Sequence, residues 1–221
     1  MERAGRILAL AAAILAAAPA GTRAVGPEAL RVQQLRPIQL DPASVGMAEC
    51  FSPGELQEGT TLAVCRAPDV KGAGGQMHLM VVDRSAGGTK VLYRSPGSGD
   101  SYYLRPTVLG GGGGDPTVVL AEAGAEFSYG IEVYVIEPDR KVLRAGFLDL
   151  AAPAAEEGPT SAVPFAQVER MGSGLCFRFT RDLLRSRPDG GYAKVPRAKA
   201  VYKYEKGRNL VPVKSCDPAG K

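Results

Sequence analysis

The sequence has no tryptophan and a single histidine, His78, and only 6% of its 221 residues are aromatic. The shortage of aromatic side chains argues against a protein that stacks sugar rings or nucleobases. One histidine gives little material for a Ser-His-Asp site or a zinc site. The motifs of metalloproteases, α/β-hydrolases, P-loop enzymes and dinucleotide-binding enzymes do not occur either. We therefore predict no catalytic residue, no cofactor and no metal ion.

The remaining routes to catalysis depend on residues without a distinctive context. His78 lies in an apolar segment, which is more typical of a packed histidine than of a general base. Paired carboxylates hydrolyse glycosidic bonds, but the candidates Glu122, Glu126, Glu132 and Asp149 are scattered along the chain. We expect a non-enzymatic protein, and a secreted hydrolase whose site the motifs do not reveal is the alternative.

The longest apolar run lies at the N-terminus. It spans residues 7–18, follows Arg3 and Arg6, and precedes small-x-small cleavage sites. The run is shorter than the roughly 20 residues that a membrane span needs. We predict a signal peptide over residues 1–24, with an uncleaved anchor as the alternative. No second long apolar run follows, so we predict a periplasmic or extracellular protein without a transmembrane span after cleavage.

Four cysteines remain in the mature chain, and an even number behind a signal peptide indicates disulfides. Three pairings are possible. We favour Cys50–Cys65 and Cys176–Cys216, because these near neighbours bracket separate segments of the chain. Zinc binding is the rival interpretation, but the C-x-x-C spacing that zinc sites use is missing.

The 28 glycines and 17 prolines favour turns and short elements over long helices. No segment keeps a helical period over three turns, whereas nine or ten short apolar segments read as strands. Two hairpins stand out, 78–82 with 90–94 and 131–136 with 141–150, the second around a Pro-Asp turn. We predict an all-β fold, an antiparallel meander that forms a sandwich, a barrel or a partial-propeller-like domain and is stapled by disulfides.

The predicted domain organisation is simple. Residues 25–46 form an extended N-terminal arm, and residues 47–217 form a single β-rich domain. Within that domain, Pro106 indicates an edge position or a bend in its strand. Residues 151–164, rich in Ala, Pro and Glu, predict a solvent-exposed excursion, and residues 182–187 predict a helical turn or a loop.

The most distinctive loop is the segment 97–103. Ser98-Gly99, followed by Tyr102, resembles over five residues the S-G-x-x-Y loop that small periplasmic lysozyme inhibitors insert into the lysozyme cleft. This chain is longer than those inhibitors. The resemblance implies that the Ser98 hydroxyl and the Tyr102 ring are contact groups, and the alternative is a plain turn ahead of a strand.

Charge is distributed unevenly along the mature chain. Residues 25–177 contain 12 basic and 18 acidic residues, whereas residues 178–214 contain 11 basic and 3 acidic residues. Either the two parts attract each other within the fold, or the basic part binds an anionic envelope component. In the predicted strand 198–204, Lys199 and Lys203 share the outer face and are the candidate contacts. Nucleic acid is a poor partner for an exported protein.

These features together predict an exported, non-enzymatic β-domain that binds a protein or an anionic envelope component. A structural component of an envelope assembly is a further alternative to the secreted hydrolase. A binding protein should expose a patch around residues 98–103 or the basic strands. A hydrolase needs convergent carboxylates, or His78 beside a hydroxyl or thiol. An assembly component should leave an edge strand or the arm unpaired.

Overall fold

A computed structural model describes residues 28–57, 59–69, 74–84, 88–98, 103–110, 115–154 and 158–217. The predicted signal peptide and Tyr102 lie outside these residues. The described residues form nineteen strands and three 3₁₀ turns and contain no α-helix, so the all-β prediction is confirmed. None of the helical turns in this part of the chain is long and apolar enough to cross a membrane.

The strands are short and follow one another along the whole chain. The first ten, in chain order, are β1 (Glu28–Ala29), β2 (Arg31–Val32), β3 (Arg36–Pro37), β4 (Glu49–Gln57), β5 (Thr60–Arg66), β6 (Met77–Asp83), β7 (Lys90–Arg94), β8 (Tyr103–Gly110), β9 (Thr117–Gly124) and β10 (Ser128–Ile136). The other nine are β11 (Val142–Leu148), β12 (Ala151–Ala152), β13 (Thr160–Ser161), β14 (Ala166–Met171), β15 (Gly174–Phe179), β16 (Leu183–Ser186), β17 (Tyr192–Val195), β18 (Tyr202–Glu205) and β19 (Val211–Pro212). The 3₁₀ turns are Pro42–Val45, Val163–Phe165 and Arg197–Lys199.

The strands assemble into four antiparallel sheets. Sheet I has the order β3-β4-β5-β6-β7, and sheet II has the order β11-β10-β9-β8-β2. Sheet III has the order β13-β12-β16-β17, and sheet IV has the order β1-β14-β15-β18-β19. Of the three arrangements that the sequence predicts, the sandwich is the one observed, and no sheet closes on itself within the described residues.

Sheet II is the central layer, because both of its faces are buried. On β9, Val118 and Leu120 pack into a core shared with sheets III and IV. Their neighbours Val119 and Ala121 pack into a second core shared with sheet I. Neighbouring side chains of a strand point to opposite faces of its sheet, so a strand between two cores needs a continuous apolar run. The run from Val118 to Ala121 meets that need.

Two smaller apolar clusters cover the outer faces, and each contains a disulfide. Cys50 and Cys65 lie directly opposite each other on β4 and β5. Cys176 of β15 is joined to Cys216 of the C-terminal tail, and Val201 packs beside that bond. Both predicted pairings are confirmed. The second disulfide fastens the tail across the outer face of sheet IV.

The predicted hairpins are also confirmed. β6 pairs with β7, and β10 pairs with β11. In the second hairpin the Arg140 N–H donates to the Glu137 carbonyl at 2.8 Å, and Arg140 itself takes the left-handed φ of 67°. The Asp139 carboxylate accepts the Lys141 N–H at 3.1 Å, which is the local bond that makes Asp favourable in turns.

Three local expectations are wrong. Residues 182–187 contain strand β16 rather than a helical turn or loop, because Leu183 is fully buried in the main core. Residues 151–164 are not simply exposed, since the small side chains of Ala151, Ala152 and Ala162 fit into buried positions. Lys199 lies in a 3₁₀ turn ahead of β18 and not in the strand with Lys203.

The described part of the predicted arm joins three sheets. β1 pairs with β14 of sheet IV, β2 with β8 of sheet II, and β3 with β4 of sheet I. The Asp41 side chain then caps the first 3₁₀ turn by accepting the Ala43 N–H at 3.1 Å. The segment between β2 and β3 therefore crosses from the central layer to an outer layer. We call residues 32–37 the strap.

Candidate functional site

A groove with a volume of about 680 Å³ lies where the strap crosses from sheet II to sheet I. Its walls are residues 32–35 and Pro37 of the strap, residues 51–54 of β4, Val64 of β5 and residues 104–108 of β8. Most of these side chains are apolar, and Arg105 is the only charged one. A groove of this size and lining falls in the range of ligand-binding clefts.

The groove follows an open strand edge. The Gln33 N–H donates to the Val108 carbonyl at 2.8 Å, which shows that the main-chain groups of Val108 point towards the strap. Because these groups alternate in direction along a strand, those of Pro106 and Leu104 point the same way. On this side of β8, the described residues pair at Gly110 and Leu109 through β2 and at Val108 through Gln33, and nowhere nearer to Leu104. The edge from Leu104 to Pro106 therefore faces the groove.

Pro106 explains where the ladder stops. Proline has no N–H, so a strand pairing with β8 cannot receive a hydrogen bond at this position. After Gln33 the strap leaves β8, and its next pairing is Arg36 with Glu55 on β4. Of the edge position and the bend that the sequence predicts as alternatives for Pro106, the structure has an edge position, which is local because β8 lies between β9 and β2 in the sheet.

Two glycines provide the space in which the strap is seated. A Cβ added to Gly54 would lie 2.6 Å from the Leu35 Cβ, and one added to Gly110 would lie 1.9 Å from the Gln33 Nε2. On the opposite wall, β4 has a register shift between Phe51 and Gly54, where Ser52 takes the left-handed φ of 44°. The irregular backbone of β4 thus shapes the groove wall.

We expect Gly54→Ala to destabilise the protein by about 1–3 kcal/mol, because the added methyl group has to displace Leu35. The measurement is the free energy of unfolding in urea. Gly88→Ala is the matched control, since an added Cβ at Gly88 meets no atom within 4 Å. Equal stability of the two variants would show that the strap is not seated on Gly54.

A polar cluster lies beside the groove on the other face of sheet II. The Tyr103 hydroxyl donates to the Glu122 Oε1 at 2.9 Å, and the Arg105 guanidinium lies 4.4 Å from the centre of the Tyr103 ring. Arg105 is also the cross-strand neighbour of Glu122, which is 7% exposed. Burial, followed by the hydrogen bond to Glu122 and its charge, raises the pKa of Tyr103 to about 12.

This pKa predicts a loss of stability in strong base. The pKa of this tyrosine is higher in the folded state than its ordinary value of 10.0. Its full stabilisation of the folded state is therefore present below pH 10 and is lost as the pH rises towards 12. Tyr103→Phe should therefore remove part of the decrease in unfolding free energy between pH 10 and 12. Tyr192→Phe, at an exposed ring, is the control. Parallel decreases for the wild type and Tyr103→Phe would contradict the assignment.

The residues predicted around loop 97–103 are only partly described. The Ser98 hydroxyl donates to the Met77 carbonyl at 3.2 Å, and the main chains of Ser98 and Met77 exchange two hydrogen bonds of 3.1 Å. These bonds fasten the start of the loop to β6. Tyr102 lies outside the described residues, so the contact roles of Ser98 and Tyr102 stay predictions.

The basic C-terminal part is largely engaged in ion pairs. Within the described residues, six of its eleven basic residues pair with carboxylates: Arg178, Arg187, Lys194, Lys203, Lys206 and Arg208. Arg178 and Lys206 reach Glu169 and Glu137 of the acidic part, at 2.8 and 3.1 Å. This supports attraction between the two parts within the fold.

The two candidate lysines are not brought together as one face. Lys203 pairs with Glu205 at 2.9 Å on the same strand. Lys199 is exposed and has no ion pair within the described residues. Neither residue contacts the groove, and anion binding by this pair stays a prediction without a built site.

His78, its neighbouring hydroxyl and the cysteines, which a catalytic site would need, are each bonded to other groups. Arg94 donates to the His78 Nε2 at 3.2 Å, so the Nδ1–H donates to the Ser95 carbonyl at 2.8 Å. The Ser95 hydroxyl itself accepts the Leu79 N–H at 2.9 Å and donates to the Pro96 carbonyl at 3.1 Å, so its proton is not directed at the imidazole. No thiol is free among the described cysteines.

Three of the four candidate carboxylates each bind a different partner, and the fourth, Glu126, is exposed. Glu122 lies on the face of sheet II towards sheets III and IV, where Tyr103 binds it. Glu132 lies on the opposite face and takes two hydrogen bonds of 2.7 Å from Arg144. Asp149 accepts the Ser186 N–H at 3.3 Å. In the part of the chain that the structure describes, no three His, Cys, Asp or Glu residues are grouped to hold a metal ion.

Comparison with known proteins leaves this geometry as the basis for a functional argument. No family model, no curated protein and no solved structure matches the chain.

Proposed function

We propose that the protein is an exported binding protein that holds a macromolecular partner in the groove between the strap and β8. The observation that carries the proposal is the combination of an apolar lining with an open strand edge in one groove. Among the described residues of the lining, Arg105 is the only titratable side chain, so they are equipped for contact rather than for proton transfer.

The rim of the groove also favours a partner. Val32 is 63% exposed and stands beside the groove, next to the exposed Pro37 and Pro106. Apolar side chains that are exposed together around a cleft are typical of interaction sites. The predicted signal peptide and the two disulfides support a location outside the cytoplasm, where such a partner would be an envelope or secreted macromolecule.

The function can be tested by photocrosslinking in an export-competent host. A benzoylphenylalanine placed at Thr107, in the groove wall, should give a discrete adduct with the partner. The same residue placed at Thr160, which is exposed on sheet III, should give none. Adducts at both positions, or at neither, would contradict a partner site in the groove.

A matched pair of charge substitutions adds specificity. Val32→Glu puts a charge on the apolar rim and should abolish the Thr107 adduct. Val211→Glu makes the same change at another exposed edge valine and should leave the adduct intact. An adduct that survives Val32→Glu would show that the partner contacts Thr107 from outside the groove.

A further inference from the structure

We propose that the occupant of the groove is an extended polypeptide segment of another protein, which adds as a strand to the open edge of β8. This inference rests on the groove being the binding site proposed above. It adds the chemical class of the partner and the atoms that recognise it. The groups that carry it are the main-chain atoms of Leu104 and Pro106.

The open edge of β8 has main-chain groups that still need hydrogen-bond partners. Leu104 offers an N–H and a carbonyl towards the groove, and Pro106 offers a carbonyl there. Both residues pair with β9 on the other side of β8, but no described strand pairs with either of them on the groove side. A side of a strand without pairing is a template for another chain. An extended peptide supplies donors and acceptors at the matching spacing, whereas a lipid or a sugar does not.

The open edge of β8 is continuous with the part of β8 that pairs with the strap. β2 and Gln33 already pair with β8 at Gly110, Leu109 and Val108, so this edge accepts an extended segment in this fold. The strap leaves β8 after Gln33 to pair with β4. A partner strand would occupy the continuation of the same line, from Pro106 towards Leu104.

The side chains of an added strand would also find apolar residues to pack against. Leu104 and Val108 face the core between sheets I and II, and the half-buried Phe51 and Leu35 pack at its margin beside the groove. Alternate side chains of a strand added to β8 would point towards this apolar margin. The partner segment should therefore carry apolar residues at every second position.

The proposal can be tested with synthetic peptides and amide hydrogen exchange, measured by NMR on the mature protein. The probe is an acetylated octapeptide of alternating threonine and valine. Its control is the same peptide with its four central amides N-methylated, which removes the donors on both edges. The plain peptide should slow exchange of the Leu104 amide at least tenfold and leave the amides of β7 unchanged. The methylated peptide should have no effect.

Pro106→Val provides a second test, in which the expected result is a gain in peptide affinity that unfolding of the variant could not produce. It restores an N–H on the open edge, and one added hydrogen bond should raise affinity for the plain peptide about threefold to tenfold. Unchanged affinity would overturn strand addition.

Three further results would also overturn it, and they are distinguishable from failure of the groove itself. If the peptide shifts the Thr107 resonance without slowing hydrogen exchange of the Leu104 amide, the groove binds the peptide but not by strand pairing. If neither the wild type nor Pro106→Val binds the peptide while the Thr107 crosslink persists, the partner is of another class. If hydrogen exchange of the Leu104 amide slows as the protein concentration rises, with no peptide added, the occupant is a second copy of this chain.

Discussion

Truncating Leu120 and its neighbour Val119 to alanine should destabilise the protein at both positions, by about 3 kcal/mol and about 2 kcal/mol respectively. Leu120 is packed in the core shared with sheets III and IV, and Val119 in the core shared with sheet I. Each truncation leaves a cavity in a different core. The free energy of unfolding in urea is the measurement, because sheet II is the central layer only if both residues contribute.

The control is a pair of adjacent residues on a strand that has one buried and one solvent-exposed face. On β14, Val168 is buried and Gln167 is exposed. Val168→Ala should cost about 2 kcal/mol, whereas Gln167→Ala should change stability by less than about 0.5 kcal/mol. A β9 pair that behaved like the β14 pair would contradict the three-layer arrangement.

Removing the Cys176–Cys216 disulfide by double alanine substitution should destabilise the protein more than removing Cys50–Cys65. The two bonds span 40 and 15 residues, which corresponds to about 4 and about 3 kcal/mol of chain entropy. Cys50 and Cys65 are also held opposite each other by the β4–β5 pairing. Cys216 lies in the tail, where the neighbouring main-chain bond is Val213 N–H to the Val201 carbonyl at 3.0 Å.

The measurement is chemical unfolding of both double variants without reductant, with tail release monitored by limited proteolysis. We expect early cleavage after residue 210 only in the Cys176→Ala/Cys216→Ala variant. Equal unfolding free energies for the two variants, or a larger loss for Cys50→Ala/Cys65→Ala, would show that the tail is fastened by other contacts.

The sequence contains enough to predict the strands and their nearest partners. Alternating or continuous apolar runs, together with turn residues such as Pro138 and Asp139, locate the hairpins because both signals are local. The disulfide pairing could be predicted as well, since near neighbours in sequence were joined. The layers could not. The run from Val118 to Ala121 shows that both faces are buried, but not which sheets bury them.

Most of the other elements that the sequence did not predict are short strands. β1, β2 and β3 have two residues each, so no periodicity reveals them, and their pairing depends on distant strands. β16 has one fully buried position, Leu183, and such a pattern does not separate a strand from a turn. In each case tertiary contacts decide the local structure.

The groove is the least predictable feature. Pro106 indicated an edge, which is correct, but the sequence did not show that the strap leaves β8 at that point. The space for Leu35 depends on Gly54, and the two residues are brought together only by the pairing of β3 with β4. A binding site formed by main-chain atoms has no side-chain motif that a sequence could reveal.

A partner outside the cytoplasm presupposes that the cell exports the chain and oxidises its four cysteines. Intact mass of the protein purified from an export-competent host, after alkylation without reductant, tests this directly. The account predicts a mass that lacks residues 1–24 and carries no alkylated cysteine. A full-length mass, or a mass with four alkylated thiols, would contradict it.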